Sequence, residues 1–188
     1  MIENIRAFFR KDAGSRTSLD INEPVREVLA LKRADLLAHR VSVEAELNDQ
    51  LPPVKADHLQ LQQVLLNLIT NAIESMAAKD GERMLCIRSR VHDSSAVMVS
   101  VEDTGTGIET ADIDQIFNPL FTTKSDGMGM GLSICRSIIE AHDGRFWATP
   151  NMSQGVAFNF VLPADNRIPS APLSRQKRVA PANTYEYQ

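Results

Sequence analysis

Asn67 and Asn71 stand one helical turn apart in an otherwise apolar run, so both amides leave from one face of a helix, opposite its apolar stripe. Asparagine costs a helix several tenths of a kcal/mol against alanine, which makes the pair a candidate for chemistry. Amide oxygens are hard ligands of the kind Mg²⁺ takes while it keeps waters and shares phosphate oxygens. Taken alone, the pair also reads as a solvated helix face. A second departure is Asp103-Thr104-Gly105-Thr106-Gly107-Ile108. A carboxylate at the end of an apolar strand, followed by glycines, can accept from the exocyclic amine of adenine while backbone approaches the ring. Guanine presents a carbonyl there and would be repelled; the plainer alternative is a strand-end turn. The third is Gly127-Met128-Gly129-Met130-Gly131-Leu132, which opens a helix and so offers backbone N–H groups and a helix dipole to phosphate. Thr122, Thr123 and Lys124 just upstream add hydroxyls and an ammonium. The segment lacks the Gly-Lys-Ser/Thr of a P-loop, and its GxGxG spacing does not match a dinucleotide-binding turn.

The elements that must position these residues follow from periodicity. A helix is expected from Asn22, as N-cap, to about His39, with Val25, Val28, Leu29, Leu36 and Leu37 as its stripe. Val41, Val43, Ala45 and Leu47 alternate as a half-buried strand. Asp57 and Gln60 form a capping-box pattern before a long helix to about Ala78, cored by Leu61, Val64, Leu65, Leu68, Ile69, Ala72, Ile73 and Met76. Strands follow over Leu85–Val91 and Val97–Val101, turning at Asp93-Ser94-Ser95. A short helix is expected over Ala111–Phe117, a helix from Leu132 to Ala141 stopped by Gly144, and strands over Phe146–Thr149 and Val156–Leu162. Helices and strands fall in separate groups without regular alternation, which gives an α+β fold with helices on one face of a sheet.

With 188 residues, 43% of them hydrophobic, the chain can bury one core but hardly two. A net charge of −4 provides no overall basic surface for nucleic acid or acidic lipid. No apolar run has the length of a membrane span and no secretory signal is present, so a cytoplasmic setting is expected. Cys86 and Cys135 sit in apolar runs without metal spacing and are expected as buried free thiols.

The order of these pieces carries more than any one of them. QLQQVLLNLITNAIESM, VEDTGTGI, IFNPLFTTKSDGMGMGLSICRSIIEAHDGR and SQGVAFNFVLP together resemble the catalytic ATP-binding domain of sensor histidine kinases. That domain belongs to the superfamily shared with gyrase, MutL and the heat-shock chaperone ATPases, and the wording is most similar to the nitrogen-regulatory and oxygen-sensing kinases. The resemblance covers about Leu19 to Pro163. It implies a Bergerat fold, a two-layer α/β sandwich with a mixed, largely antiparallel sheet, that binds ATP and Mg²⁺. It also implies roles: Asn71 as magnesium ligand, Asn67 near the phosphates, Asp103 as acceptor from adenine, with Gly105, Gly107 and Ile108 shaping its pocket. Phe117 and Phe121 would anchor a lid, and Thr122, Thr123 and Lys124 would approach the phosphates. Gly127, Met128, Gly129, Met130, Gly131 and Leu132 would wrap them, and Gly155 would close the adenine side.

Some positions depart from the pattern. Asn67 stands where the gyrase-type hydrolases carry a general-base glutamate, which favours transfer over hydrolysis. Glu74 replaces a common basic residue, Asn118-Pro119-Leu120 replaces the usual Glu-Pro-Phe, and Val156 and Ala157 replace hydroxyl residues. The family's phosphoacceptor histidine, on an upstream helix hairpin, has no counterpart among His39, His58, His92 and His142, all read as surface or structural residues. Residues 1–18 are expected to be the end of that hairpin and a linker, 19–163 the catalytic domain, and 164–188 a disordered tail. The implied partners are the chain's own dimerisation hairpin and a response-regulator receiver domain, without nucleic acid or membrane contact. Two other readings remain open: an anti-sigma-type serine kinase, and a nucleotide-responsive module that never transfers phosphate.

Overall fold

Alternation along Val97, Val99, Val101 and along Val156, Phe158, Phe160, Leu162 commits one face of each strand to a core. The computed structural model describes residues 16–165, apart from 94, 110–112, 114, 122–128 and 152–153. Most of the expected hairpin end and linker, residues 1–15, and the tail beyond 165 lie outside the described residues. The elements are β1 (Thr17–Leu19), α1 (Asn22–Leu31), α2 (Arg33–Ala38), β2 (Ser42–Leu47), β3 (Val54–Ala56) and α3 (His58–Ala77). They continue as β4 (Met84–Asp93), β5 (Ala96–Asp103), α4 (Gly131–Ala141), β6 (Arg145–Pro150) and β7 (Val156–Pro163).

The main sheet has the order β2-β4-β5-β7-β6. β2 runs parallel to β4 and every other pairing is antiparallel. α3 lies against β5 between α1 and α4, and α4 packs on β6 and β7. The result is the two-layer α/β sandwich with a mixed, largely antiparallel sheet that the resemblance implied. Leu65, Leu68 and Ile69 of α3 meet Val99, Val101 and Phe160 of the sheet with 1% exposure or less. Full burial of each such side chain contributes about 1.5–3 kcal/mol, so this seam fixes where α3 lies. The opposite sheet face is polar: Arg88 bridges Glu46 at 2.8 Å and Glu102 at 2.7 Å, and Ser100 donates to Asn159 Oδ1 at 2.7 Å.

Several local expectations change in detail. The first helix breaks at Lys32 into α1 and α2, and this turn buries Leu36 while leaving Leu37 at 67% exposure. Ile21, rather than Asn22, holds the N-cap position. Asn22 is buried and ties α1 to the sheet, donating to Asn48 O at 2.9 Å and accepting from Ser89 Oγ at 2.7 Å. β2 forms, yet Val43 and Ala45 are exposed because β2 is an edge strand. Asp57 caps α3 as expected, its Oδ1 accepting from Gln60 N–H at 3.1 Å. The short helix expected over Ala111–Phe117 falls partly outside the described residues, and 115–117 form a turn. After α4, the left-handed conformation belongs to Asp143 (φ 59) and not to Gly144. Gly144 is small for another reason: a Cβ there would stand 2.3 Å from Val161 O of β7.

The end of α4 remote from its glycines is tied on two sides. Arg16 donates to Ala141 O and lies 3.5 Å from Asp143. His142, buried, donates from Nδ1 to Ile138 O at 2.8 Å and accepts at Nε2 from Asp57 N–H at 3.0 Å. The imidazole is therefore neutral and joins the C-terminus of α4 to the N-cap of α3. Burial holds its pKa below the ordinary imidazole range. Protonation is then easier in the unfolded chain, so His142 contributes full stability above about pH 6.5 and loses it as pH falls from there toward the lowered folded value. Urea unfolding at pH 7.5 and 5.5 should show this. His142→Gln should cost about 1–2 kcal/mol at pH 7.5 and shed its share of the acid-side loss. An unchanged acid-side slope would exclude the histidine as its source.

Candidate functional site

Asn67, Asn71 and Ser75 occupy successive turns of α3 and are all half-buried, which places them on a flank of the apolar stripe and not opposite it. At one end of this row, Asn67 Nδ2 donates to Cys135 Sγ of α4 at 3.7 Å. Its Cγ lies 3.9 Å from where a Cβ on Gly131 would stand. At the other end, Ser75 Oγ accepts from Thr106 N–H at 3.1 Å and lies 3.3 Å from Thr106 Oγ1. α3 thus touches both glycine segments, with Asn71 between the two contacts.

The acid lies at the base of this arrangement. β5 ends at Asp103, which is 2% exposed and accepts from Gly105 N–H at 2.7 Å through Oδ1. Burying a carboxylate is costly without such donors, and the surrounding backbone is fixed accordingly. Asn151 Nδ2 donates to Asp103 O at 3.1 Å, and Asn151 N–H donates to Gly155 O at 3.2 Å. Thr104 donates through Oγ1 to Glu82 O at 3.1 Å and accepts from Met84 N–H at 3.0 Å. The walls are backbone. A Cβ on Gly105 would fall 2.1 Å from Ser75 Oγ, and one on Gly155 (φ 88) 1.9 Å from Asp103 O. Gly107 (φ 75) faces Gly155, its hypothetical Cβ 3.2 Å from Gly155 O. Ile108 is half-buried against the core beside them.

The third piece begins at Leu120, whose N–H donates to Gly129 O at 3.0 Å, so the chain before 122 and after 128 is held together. Leu120 (φ 69) and Gly129 (φ 62) are both left-handed, and a Cβ on Gly129 would meet Leu120 C and Phe121 O at 2.6 Å. Phe117 and Phe121 are half-buried against the core. Phe117 packs edge-on against Phe146 at 5.3 Å, with the Arg136 guanidinium 5.5 Å from its ring centre. Met130 gives α4 no side-chain cap, which leaves the N–H groups of the first turn and the helix dipole to face an anion. Gly131 is the first helical residue, Leu132 packs on the core and Met130 is exposed. Thr122, Thr123, Lys124, Gly127 and Met128 lie outside the described residues.

The structure therefore groups Asp103, Gly105, Gly107 and Gly155 at the end of β5 and sets Asn67 beside Gly131 of α4, with α3 running from one group to the other past Asn71. Sequence reasoning missed Ser75, Thr104, Thr106 and Asn151, although Ser75 carried a signal as the next polar residue on the row of Asn67 and Asn71. Cys135 is a packing residue: burial pushes its thiol up to about 12, against the opposing Asn67 hydrogen bond. Cys86 is also a free, buried thiol. Its Sγ gathers with Glu44 and Glu46 on the polar sheet face, but Glu46 is already engaged by Arg88. A buried acceptor between glycine walls suits a flat ring bearing an amine. The amide row and the first turn of α4 suit a polyphosphate with a hard cation.

The family model described as histidine kinase-, DNA gyrase B- and HSP90-like ATPase matches residues 56–166. The sensor protein FixL of Bradyrhizobium diazoefficiens is 38% identical over 164 residues, covering 87% of this chain but 32% of its own length. Among solved structures, the nucleotide-free catalytic domain of histidine kinase ThkA superposes with a TM-score of 0.72 at 34% identity, over 80% of this chain and 99% of that one. ThkA in complex with the response regulator TrrA gives 0.68 at 31% identity, over 85% of this chain and 46% of that one. This chain thus spans about a third of the length of FixL.

Proposed function

The chain belongs to the histidine kinase-, DNA gyrase B- and HSP90-like ATPase family, as an ATPase catalytic domain of the sensor histidine kinase type, and from this premise we propose that it binds Mg·ATP and donates the γ-phosphoryl group to a histidine on a dimerisation helix hairpin. Relay to an aspartate of a response-regulator receiver domain would follow, in the cytoplasm. The ThkA complex, in which a related kinase meets its response regulator, supports that last step. The observation that supports the reading is that one helix, α3, touches both glycine segments, Asn67 beside Cys135 and Gly131 of α4 and Ser75 against the loop that follows the buried Asp103.

In this reading Asp103 accepts from the adenine amine, and Gly105, Gly107, Ile108 and Gly155 form the walls of its pocket. Asn71 offers its oxygen to Mg²⁺ with Asn67 beside the phosphates. Gly127 to Leu132 wrap the phosphates, Thr122, Thr123 and Lys124 approach them, and Phe117 and Phe121 anchor the segment between. Bound ATP supplies an activated phosphoryl group whose transfer needs positioning and charge neutralisation more than covalent help. An amide at 67 is not basic at neutral pH, so it cannot accept a proton from an attacking water, and transfer to a protein acceptor is favoured over hydrolysis. Residues 19–163 form the catalytic unit of this scheme, between a hairpin end and linker at 1–18 and a tail at 164–188. Among the described residues no helix is long and apolar enough to cross a membrane.

The test supplies the dimerisation hairpin encoded with this domain as a separate polypeptide, together with Mg·ATP labelled in the γ position. An acid-labile, alkali-stable label on the hairpin's histidine is expected, with little turnover by the chain alone. Nucleotide binding with no labelled histidine would replace phosphotransfer with a purely regulatory role, and acid-stable phosphoserine would indicate a serine kinase.

A further inference from the structure

Ser75 has no part in the roles assigned above, yet its hydroxyl ties α3 to the Asp103–Ile108 loop at Thr106, next to Met76, whose Sδ accepts from Thr104 Oγ1 at 3.7 Å. Its Oγ accepts from Thr106 N–H at 3.1 Å and lies 3.3 Å from Thr106 Oγ1, so one hydroxyl engages both the backbone and the side chain of a single loop residue. The neighbouring residue leaves no slack. A Cβ on Gly105 would fall 2.1 Å from Ser75 Oγ and 2.7 Å from Ser75 Cβ, and Gly105 N–H is the donor that orients Asp103 Oδ1. Ser75 is thus one residue removed from the group that sets the direction of the buried carboxylate. It also lies one turn beyond Asn71 on the same helix face. Asp103 is held from the other side by Asn151, which donates to its carbonyl oxygen.

We propose that Ser75 is a positioning residue for the adenine-binding loop, fixing the height of Gly105 and Thr106 against α3 so that Asp103 meets an adenine amine at the correct angle. The inference rests on the ATP-binding reading given above and deepens it. Thr106 is exposed, so in the absence of Ser75 its N–H can turn to water at little cost to the fold. The penalty falls on binding, where the loop must then be ordered by the ligand itself.

Calorimetry with Mg·ADP on the full chain tests this, with thermal melting and the amide NMR signal of Thr106 as companion readouts. Ser75→Ala should weaken binding about five- to tenfold, the effect of one or two lost hydrogen bonds, and shift the Thr106 amide while the melting temperature stays within a few degrees. Ser75→Thr keeps the hydroxyl and should recover most of the affinity. Wild-type affinity in Ser75→Ala, or a loss that Ser75→Thr does not recover, would overturn the proposal. A loss matched by a large fall in melting temperature would also overturn it, by making Ser75 merely structural. Wild-type protein and Asp103→Asn run alongside as controls. If wild-type itself bound no nucleotide, the ATP reading would fail as a whole, whereas wild-type binding with an indifferent Ser75→Ala would remove the positioning role alone.

Discussion

Asp103→Asn should abolish Mg·ATP binding at accessible concentrations, weakening it about a hundredfold. Asp103 is 2% exposed, and its Oδ1 already accepts from Gly105 N–H at 2.7 Å. In the variant the amide oxygen is the atom that keeps this bond, so the amide nitrogen must face the ring. A donor then opposes the adenine amine, itself a donor, in a site too buried for water to intervene. Loss of a hydrogen bond to a charged acceptor, together with a donor left unsatisfied, is worth about 3 kcal/mol, which is about a hundredfold in affinity. The fold should suffer little because the bond to Gly105 survives. Calorimetry on a variant with a near-normal melting temperature is the check, and an unchanged Kd would remove Asp103 from the adenine site.

Gly155→Ala should be the most damaging small substitution around Asp103, and for a separable reason. At φ 88 an alanine is strained by about 1 kcal/mol. Its Cβ would also stand 1.9 Å from Asp103 O and 3.0 Å from Thr104 Cα. These atoms belong to backbone that Asn151 and Met84 O hold in place, so no flexible side-chain end can swing aside. The strand end must move. We expect about 3 kcal/mol or more of lost stability in urea unfolding and at least tenfold weaker Mg·ATP binding. Gly81→Ala is the control, since Gly81 has φ 112 and its Cβ would meet nothing within 4 Å; it should show strain alone and bind normally. If the two variants behaved alike, the close packing of Gly155 on Asp103 would have no role in the site.

The sequence revealed the parts of this molecule that break local rules or obey them over long stretches. α3 was legible because its apolar residues recur at helical spacing over several turns and Asp57 marks the start. The candidate site stood out in the sequence because amides in a helix, an acid at a strand end and clustered glycines each defy local propensity, and what defies propensity usually has a ligand or a close contact. What escaped were features set by a single tertiary contact. Ser75 and Asn151 act through one or two hydrogen bonds to residues distant in the chain. The two-stranded pairing of β1 with β3 involves three residues a side, too few to show alternation. Gly144 reads as a helix stop, but only the position of β7 reveals that its lack of a side chain serves packing against Val161 O. Val43 has the pattern of a half-buried strand residue, and only the sheet order shows it on an edge.

The parallel pairing of β2 with β4 has a consequence for how the molecule assembles. Antiparallel neighbours such as β4 and β5 can zip from a tight turn, but β2 reaches β4 only after the chain has passed through β3 and the whole of α3. Closing so long a loop carries an entropy cost that is repaid only late. The β4–β5 hairpin is therefore suited to form first, and the edge strand to dock last, after the helix bearing Asn67, Asn71 and Ser75 has come to rest. In the finished protein the same order makes β2 the first strand to peel away, while the hairpin that ends at Asp103 lies within the part that holds longest.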